Sequence, residues 1–215
     1  HTMTTLERLS YIHQGDCVAF MKTLPDKCID LTLTDFPYGI GESYASFDDS
    51  RANLRALVSA AMPEILRVSK RALIACGVAN MWLYPEPTWV LNWTTPAGSG
   101  CSPWGFCCWQ PILAYGKDPY LSEGEGRRPD AFVHTESSEK NGHPCPKPIQ
   151  IWKKFLLRGS RDENDIVFDP FMGSGTTALA CEEHKRRWLG CELEPKYVAI
   201  ANDRVKAFKA QGQLF

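Results

Sequence analysis

The stretch from Asp165 to Glu183 limits most strongly what this chain can fold into. Asp165-Ile166-Val167-Phe168 is a short apolar β-forming run. Asp169-Pro170-Phe171-Met172-Gly173-Ser174-Gly175-Thr176 is a glycine-rich turn, and Thr177 to Glu183 reads as the start of a helix. A strand that ends in such a turn and passes straight into a helix builds the crevice where open α/β sheets bind nucleotide-like ligands. Glycine there lets the backbone approach a ligand that any Cβ would hold off. About twenty residues on, Trp188-Leu189-Gly190-Cys191-Glu192 is a second apolar strand ending in an acid. A carboxylate at that place can accept hydrogen bonds from both hydroxyls of a ribose. A Gly-x-Gly pair taken alone is also compatible with a plain tight turn; the strand before it and the acid after it favour the nucleotide reading.

The remainder of the chain alternates strands and helices. Ser10 to Cys17 reads as a strand running into a Gly15-Asp16 turn, and Val18 to Leu24 as a short helix stopped by Pro25. Ile29 to Thr34 alternates apolar and polar residues, the pattern of a half-buried strand. It ends in Asp35-Phe36-Pro37-Tyr38-Gly39. Phe47 to Ser50 offers caps for a helix from near Arg51 to about Ser69, in which Pro63 predicts a kink or a break into two helices. Ala72 to Cys76 is the next strand. Trp89 to Trp93 and Gln110 to Tyr115 read as strands around a loop at Pro96 to Gly105, and Lys117 to Gly142 as a mobile surface loop. Pro148 to Leu157 is a helix with a basic side, and Pro195 to Lys209 a final helix. No repeat and no internal boundary is visible, so residues 3–215 are expected to form a single domain.

Composition decides three points. A net charge of −1 gives no global attraction to nucleic acid, so any basic surface must be local. No apolar run approaches the roughly 20 residues of a membrane span, and no secretory signal is present, so a cytoplasmic protein without a membrane partner is expected. The nine cysteines are odd in number and lack a C-x-x-C pair, which points to reduced thiols. Cys101, Cys107 and Cys108, with His134, His143 and Cys145, match no usual zinc spacing, so no metal is expected.

Two strand ends can carry chemistry: the glycine turn and Asp35-Phe36-Pro37-Tyr38. In a parallel sheet both open on the same edge. Asp-x-Pro-Tyr offers a carboxylate, a backbone carbonyl and an aromatic face within four residues, which suits a planar amino-heterocycle. Asp35 and the Phe36 carbonyl can each accept a hydrogen bond from an exocyclic amine while Tyr38 stacks on the ring. A proline-containing turn with a capping aspartate is the plainer alternative.

Together these segments resemble the β-class S-adenosylmethionine-dependent DNA amino-methyltransferases, the N6-adenine and N4-cytosine family. Asp35-Phe36-Pro37-Tyr38 is similar to their Asp-Pro-Pro-Tyr catalytic motif, and Asp169 to Thr177 to their cofactor motif. His143-Pro144-Cys145-Pro146-Lys147-Pro148 resembles the segment that precedes the cofactor motif. Gly190-Cys191-Glu192-Leu193-Glu194 resembles the ribose-binding strand, and Gly15-Asp16 the turn near the cofactor's adenine. The catalytic motif comes first, which is the β-class order. The likeness spans residues 10 to 208.

The resemblance implies a Rossmann-like, seven-stranded, mostly parallel sheet with helices on both faces. It implies S-adenosylmethionine as cofactor, held by Gly15, Asp16, Cys17, Asp35, His143, Lys147, Asp169, Pro170, Phe171, Gly173, Ser174, Gly175, Thr176, Thr177, Glu192 and Leu193. Asp35, Phe36, Pro37 and Tyr38 would be catalytic, acting by direct displacement on a flipped base, with no metal and no covalent intermediate. Double-stranded DNA is the implied partner, with a homodimer also compatible and a bacterial or phage-infected cell as the setting. Adenine N6 leads over cytosine N4 because Asp stands first in the motif. A non-catalytic subunit of a methyltransferase complex is the reading from a different class. Phe36 stands where the family has a proline, which removes the rigidity of Pro-Pro. Only 96–142 remains for target recognition. Arg127, Arg128, Lys153, Lys154 and Arg158 are the candidates for phosphate contact.

Overall fold

A computed structural model describes residues 9–37, 50–98, 100–135 and 147–212. Tyr38, His143 and Cys145 therefore lie outside the described residues. The strands are β1 (Tyr11–Gln14), β2 (Ile29–Asp35), β3 (Ser69–Ala75), β4 (Trp89–Thr94), β5 (Cys101–Ser102), β6 (Gly105–Phe106), β7 (Trp109–Gly116), β8 (Ala131–Val133), β9 (Ile166–Asp169) and β10 (Arg187–Glu192). The α-helices are α1 (Cys17–Met21), α2 (Arg51–Val68), α3 (Pro119–Ser122), α4 (Ile149–Gly159), α5 (Thr176–Glu183) and α6 (Pro195–Gly212).

One sheet runs in the order β1-β10-β9-β2-β3-β7-β4-β8, and β5 and β6 form a separate small hairpin. Within the eight-stranded sheet β7 alone runs against its neighbours. The seven expected strands are thus joined at one edge by the three-residue β8. That strand and α3 come from the segment read as loop, whose polar composition hid elements this short.

Side chains alternate across the sheet, as the two-residue period requires. Leu73 and Ala75 enter one core with Trp152 and Phe155 of α4, Leu179 of α5 and Val205 of α6. Ala72 and Ile74 enter the other with Phe20 and Met21 of α1 and Leu54, Val58 and Ile65 of α2. Helices therefore cover both faces. The alternation seen in β2 does not mark a wet face, because Thr32 and Thr34 are fully buried. Each hydroxyl has a partner: Thr32 meets Ser69 at 2.7 Å, and Thr34 donates to Asp169 at 2.6 Å. Buried threonine is tolerated where its hydroxyl is paired.

Pro63 neither breaks nor divides α2, which runs through it as one helix. Pro63 and Ser59, whose carbonyl the missing N–H leaves without its helical partner, are both exposed, so water can serve that carbonyl.

The placement of β9 matters most for function. From β9 the chain passes through α5 to β10 on one side. From its other neighbour, β2, it passes through α2 to β3 on the opposite side and the opposite face. The gap between β9 and β2 is a topological switch point, where open α/β sheets bind their ligands outside the strands' carboxyl ends.

Candidate active site

Four parallel strands end side by side at this switch point. β2 ends in Asp35, β9 in Asp169, β10 in Glu192, and β1 in Gln14 followed by Gly15 and Asp16. A cavity of about 700 Å³ opens above them. The sequence candidates reach its wall from separate elements. Gly15, Asp16 and Cys17 come from the β1–α1 turn, Asp35, Phe36 and Pro37 from the end of β2, and Lys147 from the approach to α4. Asp169, Pro170, Phe171, Gly173, Ser174, Thr176 and Thr177 come from the β9–α5 turn, and Glu192 and Leu193 from the end of β10.

Local structure explains why these turns hold their shape. Gly173 and Gly175 both have positive φ, 53° and 86°. At Gly175 a Cβ would also sit 2.8 Å from that of Ala201. This glycine packs the turn against α6 behind the cavity wall, which gives it a structural reason to be glycine. Arg204 of α6 donates to the Ser174 carbonyl at 2.6 Å and fixes the turn from the same side. Asp16 caps α1 by accepting from the Ala19 N–H at 2.7 Å.

Asp169 is a buried carboxylate with three donors. Thr34, Thr177 and the Phe171 N–H all donate to it. Burial outweighs them and pushes its carboxyl up to about 6. Trp152 of α4 donates in turn to Thr177 at 2.7 Å, so α4, α5, β2 and β9 meet at this one group. Glu192 accepts from the Gly173 N–H at 2.8 Å and from the Glu194 N–H at 2.9 Å, and burial raises its carboxyl as well. Each carboxylate oxygen has two acceptor sites, so these bonds leave Glu192 capacity for further donors.

Asp35 pairs with Lys147 at 2.8 Å, both side chains being mostly buried. Phe36 is 1% exposed, and its ring meets Tyr84 and Phe171 edge-on at 5.2 and 4.6 Å. Its N–H donates to the Ala75 carbonyl at 3.1 Å. Aromatic packing and a strand hydrogen bond thus hold the turn where a second proline would have stiffened it.

The cavity is acidic. Asp16, Asp35, Asp169, Glu192 and Glu194 line it, against Lys147 as the single cation among the described residues. Such a wall favours a ligand carrying positive charge. The thiols Cys17 and Cys76 are pushed up to about 12, chiefly by burial and then by the neighbouring Asp16 and Asp35 respectively. A thiol so raised is not a nucleophile at neutral pH. Among the described residues no group of three or more His, Cys, Asp or Glu side chains is placed to hold a metal.

The basic candidates are dispersed. Lys153 pairs with Glu183, and the Lys154 ammonium reaches the Val133 carbonyl at the end of β8. Arg158 pairs with Asp118, and Arg128 lies over the Tyr120 ring. Arg127, Arg128 and Arg158 line a second hollow with Arg71 and Trp89, near the beginnings of β3 and β4 and so at the opposite edge of the sheet from Asp35. The sequence reading missed Thr34, Trp152 and Asn53. The first looks like one polar position of a strand and the others like helix surface, and nothing local marks them as near the site.

Residues 78–203 match the family model described as DNA methylase, of the N6/N4 methyltransferases. The chain is 25% identical to the type II methyltransferase M.HpaI of Haemophilus parainfluenzae, across 89% of this chain and 72% of that one. It is 24% identical to M.HinfI of Haemophilus influenzae, across 94% and 69%. In fold it is similar to the crystal structure of the M1.HpyAVI–SAM complex, with TM-score 0.65, 22% identity and coverage of 91% and 98%. It is likewise similar to the cytosine-N4-specific PvuII DNA methyltransferase, with TM-score 0.67, 16% identity and coverage of 94% and 93%.

Proposed function

This chain belongs to the DNA methylase family of N6-adenine and N4-cytosine methyltransferases, and on that premise we propose that it transfers a methyl group from S-adenosylmethionine to N6 of adenine in duplex DNA. The observation that carries the reading is the acidic cavity at the switch point, with Asp35 on one wall and the glycine turn and Glu192 on the other. S-adenosylmethionine bears a sulfonium and an ammonium against one carboxylate, and five acidic side chains against one lysine suit that charge. The volume falls in the usual range for a cofactor pocket, about 300–1,000 Å³.

The β9–α5 turn, Glu192 and the β1–α1 turn would hold the cofactor, which supplies a methyl group activated by a positively charged sulfur. Asp35 and the Phe36 carbonyl accept hydrogen bonds from the two N–H groups of the incoming amine. An exocyclic amine is a weak nucleophile because its lone pair is delocalised into the ring. Acceptors on both hydrogens favour the pyramidal nitrogen that develops in the transition state, so they bind that state more tightly than the ground state. The nitrogen–carbon bond forms as the carbon–sulfur bond breaks. The extra proton on nitrogen then leaves to Asp35 or to water. The amine is inaccessible in a stacked duplex, so the base is flipped into the cavity, where Tyr38 would stack on it. The segment 96–142 reads the target, within the same domain.

Nucleoside mass spectrometry after incubation of unmethylated DNA with protein and S-adenosylmethionine tests this. N6-methyladenine is expected, and Asp35→Ala should abolish it while cofactor binding, weakened by the Lys147 charge left unneutralised, stays measurable by calorimetry. N4-methylcytosine would assign the other base, whose amine presents the same two hydrogens. Bound cofactor with neither product would mark a non-catalytic subunit.

A further inference from the structure

The site holds one cation among its described residues, and it faces the residue proposed to accept the amine. Lys147 and Asp35 meet at 2.8 Å with side chains 12% and 20% exposed. An ion pair this sheltered is screened less than a surface pair and sets geometry as well as charge. Lys147 immediately precedes Pro148, the N-cap residue of α4. α4 is anchored a turn later, where Trp152 donates to Thr177 and Thr177 to Asp169. Thr34, the residue before Asp35, donates to the other oxygen of Asp169. The β2 end and the α4 start are thus tied twice, through Lys147–Asp35 and through Trp152–Thr177–Asp169–Thr34.

From this geometry, and resting on the methyltransferase reading above, we propose that Lys147 is a positioning residue for Asp35. Its ammonium fixes the carboxylate's rotamer by occupying part of Oδ2. A carboxylate has about four acceptor sites on two oxygens, so an ammonium on Oδ2 does not by itself exclude an amine. This role differs from the cofactor contact that the resemblance implies for Lys147. The charge of the wall argues the same way, since an ammonium close to a cationic ligand is tolerated when a carboxylate neutralises it.

Two measurements test the proposal. The first is a crystal structure of the wild-type protein with S-adenosylmethionine, which needs no turnover. Lys147 Nζ should remain within hydrogen-bonding distance of Asp35; transfer of Nζ to the cofactor's carboxylate would overturn the assignment. The second compares Lys147→Met and Lys147→Arg in cofactor calorimetry and steady-state methylation. A misplaced reacting group costs up to about a hundredfold. In Lys147→Met kcat should therefore fall at least about tenfold, with the cofactor Kd and the KM for DNA within about twofold, and Lys147→Arg should recover much of kcat. A Kd weakened tenfold with kcat retained at saturation would make Lys147 a cofactor ligand instead. If Lys147→Met does not fold, the Arg variant and the first structure still decide. A wild-type protein without methylation would end the functional reading, whereas the crystallographic result stands apart from it.

Discussion

Asp169 shows how one buried group can set a pH dependence for the whole fold. An exposed aspartate titrates near 3.9, and burial raises this one to about 6. Below pH 4 both folded and unfolded states carry the proton, and the group contributes nothing. Between about 4 and 6 the unfolded chain releases it while the folded chain keeps it, so stability falls as pH rises. Above 6 both are ionised, and a constant penalty on the order of 2–3 kcal/mol remains. Asp169→Asn removes this term, since its amide does not ionise and the two threonine hydroxyls can reorient. In urea titrations the variant should gain on the wild type by about 2 kcal/mol between pH 4.5 and 7. An equal difference at both pH values would show that the three donors, rather than burial, govern the group. The sequence marked Asp169 as part of the glycine turn, because residue type and order are visible there. It left Thr34 and Trp152 unmarked, because their roles depend on which strands and helices become neighbours. Phe36 was legible as a departure from the family motif. That its ring would lodge between Tyr84 and Phe171 needed the packing of the β9 turn and the segment after β3.

At the scale of elements, long periodic segments were readable and short ones were not. α2, α4, α6 and β2 stand close to where their patterns place them, whereas β8, α3 and the β5–β6 hairpin lie in stretches read as loop. Three or four residues carry too little periodicity to register. The hairpin is the omission that bears on the proposed DNA interface. β4 runs parallel to β3 across β7, so the β4–β7 connection leaves from the same sheet edge as Asp35. Hydrogen bonds from Thr95 to Cys108 and from Cys107 to Gly100 extend it outward. At its tip Trp104 is 97% and Phe106 80% exposed. Aromatic rings so placed cost stability nothing to remove but can stack on bases, at about 1–3 kcal/mol each. The Trp104→Ala, Phe106→Ala double variant should keep its melting temperature and bind target duplex at least about tenfold more weakly by fluorescence anisotropy. Undiminished affinity would take the hairpin out of the DNA interface.

For the whole molecule, the mostly parallel sheet sets four of the five cations proposed for DNA at opposite edges. Lys154 lies by the end of β8, near the edge that carries Asp35 and the hairpin. Arg127, Arg128 and Arg158 lie by the beginnings of β3 and β4. The seven residues of β3, at roughly 3.3 Å each, put about 20 Å between the two edges. The Debye length at physiological salt is about 8 Å, so charges at the far edge are screened from a duplex docked over the cavity. Two of them are also committed within the fold: Arg158 to Asp118, and Arg128 to Glu125 and the Tyr120 ring. The Arg127→Ala, Arg128→Ala double variant should therefore leave both DNA affinity and its salt dependence nearly unchanged. Each phosphate contact contributes about 0.9 to the slope of log K against log salt. Were both arginines on phosphate, the slope would drop by nearly two, and the duplex would have to reach around the sheet to the far edge. Lys154→Ala, one residue on the near side, should lower the slope by about one. The paired comparison thus reads which edge of the sheet faces DNA without requiring turnover.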